Sequence, residues 1–328
     1  MEDKGTFVMS LDLELFWGVR DVTTFKRYGP NIANVHVLFP RMLDLFRRYG
    51  LSATFATVGF LFAKNKKELV FFSPTKKPNY NDKNLSPYED GFVLVKEDLQ
   101  NDLYHYGYKL IELLAKYPEH EIATHTYSHF YCQEPGQTID DFRSDLHSAI
   151  KIATRRGITI KSIVFPRNQV KEDYLIVCSE FGISSYRGIE NAWFHKVGHD
   201  ESSTLKIRII RTLDCYISLG GHSCFSLKEV GLSKPYNIPS SQFLRPYVNL
   251  GGTLVEKLKL RRIKKAMTYA AKNGLIYHLW WHPHNFGNNT DRNLASLKEI
   301  FEHYKKLNLK YDFKNKTMME IADILDAK

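Results

Sequence analysis

Short apolar runs alternate with segments of helical periodicity along this chain, about seven times and with no clear linker between them. Residues 6–15 begin as an apolar run through Phe7, Val8 and Met9. They then alternate through Leu11, Leu13 and Leu15, which reads as a buried strand ending among acidic residues. Val35–Tyr49 carries Val35, Leu38, Phe39, Met42, Leu45 and Phe46 at helical spacing, with Asn34 as N-cap and Gly50 as the stop. A second strand follows over 51–58. The pattern resumes with a helix over 99–117, a strand over 121–124 and a helix opened by the capping box Thr138-Ile-Asp-Asp141. A strand over 160–165, a helix over 171–181 and a strand over 183–186 come next. A basic helix over 254–272, an apolar strand over 275–281, a helix over 293–307 and a helix capped by Thr317 and Glu320 complete the order. Such alternation predicts an α/β fold of parallel strands and crossover helices, as an open sheet or a closed barrel.

Two stretches break the pattern. Residues 64–98 are rich in Lys, Asn, Pro and Asp, and residues 200–246 are poorly periodic. Since single α/β barrels run to about 250 residues or more, the 328 residues read as one domain over 1–328, enlarged by insertions near 64–98 and 200–246. The N-terminus, MEDKGTFVMSLDLE, is acidic where a signal peptide begins basic, and no run approaches the roughly 18 apolar residues of a membrane span. A cytoplasmic chain is therefore expected. Cys132, Cys178, Cys215 and Cys224 are scattered without a CxxC and read as reduced, mostly buried thiols. Neither GxGxxG nor GxxxxGK[ST] occurs, so no nucleotide fingerprint is present.

Active sites of parallel sheets and barrels collect at the C-terminal ends of the strands, and four polar groups stand at such ends. Asp12 and Glu14 are two apart at the end of the first strand, so both carboxylates look into one site. So close, they repel unless a cation sits between them or one takes a proton. His125 and His129 are four apart after the strand EIAT, a chelating spacing on a helical turn, though an isolated HxxxH is as readily a pair of polar loop histidines. His282 and His284 leave the apolar strand LIYHLWW, placed for acid or base work or as structural histidines. Arg167, in Phe165-Pro-Arg-Asn168, is suited to hold a carboxylate ionised, or to sit on the surface beside a turn proline. Together the set supplies what metal-assisted hydrolysis needs: ligands, a base for water and an acid for the leaving group.

With SLDLELFWG, ATHTYSH, VFPRNQ and HLWWHPHNFG in this order, the sequence resembles the polysaccharide deacetylase (NodB-like) superfamily over most of its length. The resemblance implies a distorted (β/α)7 barrel and hydrolysis of an N-acyl group from an amino sugar. It makes Asp12 the base and Glu14, His125 and His129 the ligands of a divalent metal, with Asp12-x-Glu14 in place of the family's adjacent aspartates. His282 matches the family's LxxH motif through Leu279 and is the candidate acid, with His284 as competitor. Arg167 is assigned to steadying Asp12, although Pro166 precedes it where the family has Arg first. Arg187 and Trp193 fall where the family lines its groove or tunes the base, and equally suit core or surface; Trp17, in the first motif, is a further substrate-binding candidate. Zn²⁺ best fits two imidazoles and a carboxylate, with Co²⁺, Fe²⁺ and Ni²⁺ as alternatives. Some branches with the spaced acidic pair act on non-sugar amides, a few without metal, which keeps an amidohydrolase of that kind open beside the sugar deacylase.

The formal net charge is +10, and residues 257–265 hold six basic residues in nine. The usual fate of such a run is a solvated helix face. The sharper expectation is attraction to phosphate, on an anionic membrane surface or on a nucleotide- or lipid-linked N-acyl sugar. That places the expected substrate in surface-polysaccharide or lipopolysaccharide assembly, at the inner face of the membrane. The dispersed aromatics form no basic-aromatic platform, so nucleic acid is not expected as a partner. A glycan-binding protein without catalysis is the alternative from another class.

Overall fold

The computed structural model describes residues 4–89, 91–196, 204–231, 233–249 and 251–328. Among the described residues nine strands pair in parallel: β1 (Thr6–Leu13), β2 (Thr54–Thr57), β3 (Glu121–Thr124), β4 (Ser162–Ile163), β5 (Ser185–Tyr186), β6 (Tyr236–Asn237), β7 (Gln242–Phe243), β8 (Ile276–Trp281) and β9 (Lys314–Lys316). Their order is β6-β5-β4-β3-β2-β1-β8-β7, with β9 against the first residues of β1. β6 and β7 are two halves of one extended segment. Ile238 and Ser240 donate their N–H groups to Tyr186 and Gly188 on one side, at 2.9 Å each. Ser241 and Leu244 donate to His278 and Trp280 on the other, at 2.8 Å each. That segment closes the sheet into a distorted (β/α)7 barrel.

Alternation along β1 sorts its side chains into two layers. Phe7, Met9, Leu11 and Leu13 point out into the large core under the helices. Val8 points inward and joins Ala56, Ala123 and Ile276 from β2, β3 and β8, with Val164 and Ile238 just past β4 and β6, as the plug of the barrel. Ser10 and Asp12 share the face of Val8 farther along, so the plug turns polar towards the C-terminal mouth. Helices wrap the barrel through their apolar faces; Val35–Tyr49 buries Leu38, Phe39, Met42 and Phe46 and ends at Gly50 with φ 58°, a left-handed stop that glycine adopts without strain. The capping boxes at Thr138 and Thr317 form as expected, opening helices Ile139–Arg155 and Met318–Asp326.

Several expectations are corrected. Asn34 is not a side-chain cap; its backbone is helical, and its amide donates to the Gly287 carbonyl at 2.8 Å. The helix over 99–117 shrinks to Tyr108–Leu114, because the Asp102 carboxylate takes the backbone N–H groups of Lys96, Tyr104 and His105 and folds a loop instead. Residues 64–98 are no loose loop: they contain helix Lys66–Phe72 and bury Leu69, Phe72 and Tyr80. The stretch 200–246 is not simply an insertion, since it supplies helix Leu205–Asp214 and the closing segment with β6 and β7; residues 200–203 and 232 lie outside the described residues. Two-residue strands carry too little periodicity to be read from sequence. Cys132, Cys178 and Cys215 are buried, Cys224 is half-buried, and all four are free. Among the described residues no helix is long and apolar enough to cross a membrane.

His120, before β3, is buried edge-on against Phe46 and Phe55 and accepts the Ala53 N–H on Nδ1 at 3.1 Å. Burial pushes its pKa down to about 4. The unfolded chain takes up this proton first, near its ordinary pKa of about 6.5, so stability falls as pH drops below that value and keeps falling to about 4. Lowering pH from 7 to 5 is expected to remove roughly 1–2 kcal/mol through this group alone. In urea titrations at both pH values, His120→Asn, which keeps an acceptor, should lose less than the wild type. Equal losses would assign the acid sensitivity elsewhere.

Candidate active site at the barrel mouth

Asp12 and Glu14 stand at the end of β1, 2% and 3% exposed. Leu15 has φ 48° and begins the tight turn Leu15–Gly18, which folds the chain away immediately after Glu14 and leaves both carboxylates over the mouth. Gly18 belongs to this turn for a steric reason: a Cβ there would overlap the Glu14 carboxylate.

Four imidazoles surround Glu14. His125 Nε2 and His129 Nε2 face one oxygen, Oε2, at 3.3 and 3.1 Å. His284 Nε2 faces the other, Oε1, at 2.9 Å, and His282 Nε2 is 3.6 Å from it. Burial acts to raise the Glu14 pKa, but the imidazoles hold it well below the carboxylate range. His125 Nδ1–H donates to the Val164 carbonyl at 2.7 Å, so in the neutral ring Nε2 turns a lone pair towards Glu14. Two electron-rich atoms that close call for a positive centre. His129 is held below its ordinary pKa by burial, and its Nδ1 is buried without a hydrogen-bond partner. The donor atoms of Glu14, His125 and His129 lie within 4.8 Å of one another, and the set of two neutral imidazoles and one carboxylate fits a divalent cation.

The His125–His129 segment is not the helical turn that its spacing suggested. Thr126 and His129 have φ of 62° and 60°, and the loop is held from outside. Asp145, from helix Ile139–Arg155, accepts the N–H groups of Tyr127 at 2.6 Å and Ser128 at 3.1 Å. Thr126 Oγ1 accepts the Phe130 N–H at 2.7 Å. The two imidazoles converge because this clamp fixes the loop, not because helix periodicity aligns them.

Asp12 is gripped by Arg187, contrary to the assignment of that role to Arg167. Arg187 Nη1 and Nη2 donate to Oδ1 and Oδ2 at 2.7 Å each, a bidentate pair with Arg187 only 1% exposed. Burial pushes the Asp12 pKa up, but the Arg187 charge and hydrogen bonds together with the nearby His125 and His282 more than offset it, so the carboxyl stays below its ordinary value. Arg187 Nη1 also donates to Ser10 Oγ at 3.0 Å, and Nη2 to Asn168 Oδ1 at 3.1 Å. Arg167 and Asn168 both take φ 54°, a tight turn that aims Asn168 inward and Arg167 outward to Asp21 and Glu134, its guanidinium 4.2 Å from the Tyr131 ring centre.

The expected aromatic residues are also redistributed. Trp17 is buried in the core against Phe60, its indole N–H donating to the His105 carbonyl at 2.9 Å. Trp193 is 63% exposed on a short turn, its ring against Phe194. An aromatic side chain at the mouth is Trp280, which lies under the Arg187 guanidinium at 4.2 Å and beside His282 at 5.4 Å. Sequence reasoning passed over it although it lies two residues before His282 and so shares its face of β8. His278 is two residues earlier again. It is fully buried, its pKa pushed down to about 3 by burial, and its Nε2 lies 2.8 Å from Ser10 Oγ. Its Nδ1, 3.2 Å from the Pro239 carbonyl, must carry the proton, so Nε2 accepts from Ser10 while Ser10 accepts from Arg187. The same period-2 reading points to Ser10, two before Asp12.

His282 and His284 have different surroundings. His284 is buried between Glu14 and the Tyr28 hydroxyl, which lies 2.9 Å from Nδ1. His282 has 22% of its side chain exposed at the mouth, with Nε2 3.5 Å from Asp12 Oδ2. The Asn285 amide lies 3.2 Å from His282 Nδ1, and burial lowers the His282 pKa to about 4, so the ring is neutral near pH 7.

A parallel barrel whose mouth gathers two carboxylates, an arginine and four histidines has the fold of the polysaccharide deacetylase type. Solved structures align along nearly the whole chain. One from Mycobacterium smegmatis, described as a polysaccharide deacetylase, has a TM-score of 0.61 at 15% identity, covering 100% of this chain and 92% of its own. Another so described, from Pseudomonas aeruginosa PAO1, has a TM-score of 0.55 at 11% identity, covering 97% and 89%. Puue allantoinase has a TM-score of 0.55 at 12% identity, covering 98% and 90%. No family model and no curated protein matches the sequence.

Proposed function

We propose that this protein is a metal-dependent hydrolase that removes an acetyl or formyl group from the nitrogen of an amino sugar. The substrate we propose is a nucleotide- or lipid-linked intermediate of surface-polysaccharide assembly. The observation that carries this reading is the Glu14–His125–His129 donor set beside an Asp12 carboxylate kept ionised by Arg187. Glu14, His125 and His129 would hold the cation, best Zn²⁺, which when bound supplies a Lewis acid for the acyl oxygen and for water.

The chain's own groups manage the protons. Asp12, ionised and fixed by two hydrogen bonds, accepts a proton from the attacking water. His282, the partly open group of the site, takes that proton from Asp12 across 3.5 Å and, as the imidazolium, passes it to the departing amine nitrogen. One proton thus passes from water to amine, and the acid and the free amine are the products. His284, already engaged by Glu14 and Tyr28, instead orients the ligand carboxylate.

Acetate and formate release over a panel of nucleotide- and lipid-linked N-acyl sugars, with metal content measured alongside, tests the reading. Near-stoichiometric metal in the purified protein and its loss in His125→Ala are the expected results. Metal-free protein whose histidine variants behave as the wild type would refute it. Because Puue allantoinase shares the fold, a non-sugar amide is the second reading, favoured if amide substrates turn over unchanged in the presence of chelator.

A further inference from the structure

The basic run 257–265 does not form one solvated face. Helix Gly252–Asn273 turns two of the six cations of that run inward: Lys259, 1% exposed, bonds Glu256 and the Arg245 carbonyl, and Arg262, 3% exposed, pairs with Asp214 at 2.5 Å. The other four, Lys257, Arg261, Lys264 and Lys265, line a groove of about 960 Å³ between this helix and helix Thr290–Tyr311, joined there by Lys272 and Arg292. Two carboxylates share the groove and are already occupied, Glu256 by Lys259 and Ser296, Glu299 by Lys264 at 2.7 Å. The groove is therefore strongly positive and open. Lys257, Arg261 and Lys265 recur every four residues, about 6 Å apart along the axis, and Lys272 continues the stripe. Leu254, 66% exposed, and Tyr269, 45% exposed, flank that face. Soluble phosphate offers these two side chains no partner, whereas the boundary between lipid headgroups and acyl chains does.

We infer that this groove docks on an anionic phospholipid surface, the headgroup phosphates engaging the lysine and arginine stripe and Leu254 and Tyr269 entering the interface. It involves no residue of the barrel mouth and stands or falls apart from the hydrolase reading. The test is co-sedimentation of the full chain with phosphatidylcholine vesicles and with phosphatidylcholine–phosphatidylglycerol vesicles in a roughly 2:1 ratio. Binding to the anionic vesicles alone, weakened by salt, is expected. The triple variant Lys257→Gln, Arg261→Gln, Lys265→Gln should lose roughly 100-fold in partitioning, at about fivefold per cation. Lys67→Gln, Lys116→Gln, Lys161→Gln removes the same charge from exposed positions on other elements and should bind as the wild type, with both triples retaining the wild-type melting curve. Equal loss in the two triples, or no binding to anionic vesicles, overturns the proposal. So does stabilisation by inorganic pyrophosphate without vesicle binding, which would assign the groove to a soluble phosphate.

Discussion

Arg187→Met is expected to destabilise the protein by about 3–5 kcal/mol, because it leaves the Asp12 carboxylate buried without its counter-charge. For a chain of this size that corresponds to a melting-temperature loss on the order of 10 °C. The loss has a specific origin. Arg187 satisfies both Asp12 oxygens, Ser10 Oγ and Asn168 Oδ1 from inside the barrel, where water does not replace it. Removing both charges together, as Asp12→Leu with Arg187→Met, should cost less than Arg187→Met alone. Arg167→Met is the contrast. Its partners Asp21 and Glu134 are mostly buried, but Arg167 itself keeps 36% of its side chain exposed, so water reaches the pair and the loss should be smaller, about 1–2 kcal/mol. Urea denaturation of the four proteins decides between the two arginines. If Arg167→Met proves the more damaging, Asp12 is held in another way than its hydrogen bonds indicate.

Asp12→Asn should lower kcat by about 10²–10⁴-fold while the protein keeps its metal, provided a substrate has been found in the release assay. The amide preserves shape and still accepts from Arg187, but it cannot take a proton from water. Metal retention follows from geometry: Asp12 is outside the donor set of Glu14, His125 and His129, whose loss removes the metal itself. The two kinds of variant thus separate a base from a ligand. The control is melting temperature, since the neutral amide leaves the Arg187 charge buried with one fewer charged partner, and kcat must be measured where the variant is folded. An Asp12→Asn protein as active as the wild type would leave the proton with His282 or with the metal site alone.

Much of this site was legible because strands impose a period of two. Asp12 and Glu14 share a face for that reason, and the same rule applied more persistently leads to Ser10 on β1 and to His278, Trp280 and His282 on β8. What it could not reveal is which arginine reaches Asp12. Arg167 and Arg187 both follow short strands of the same sheet, and both read as strand-end cations. The choice lies in the backbone: Arg167 sits at φ 54° and is turned outward, while Arg187 continues the inward face of β5 two residues after Ser185. The convergence of His125 and His129 was anticipated from the wrong geometry, since a loop clamped by Asp145 does what a helical turn was expected to do.

The alternation of apolar runs and helical segments by itself determined a parallel α/β architecture, because buried strands and crossover helices each leave a periodic record in local sequence. The carboxylates of β1 and the histidines of the third and last major strands were likewise visible where they emerge. Only the tertiary structure decided that residues 236–244 close the barrel, that Arg187 and not Arg167 grips Asp12, and that the basic run divides between core and groove. Each of these depends on contacts between residues far apart in the chain, fixed by hydrogen bonds and burial that no short window of sequence contains.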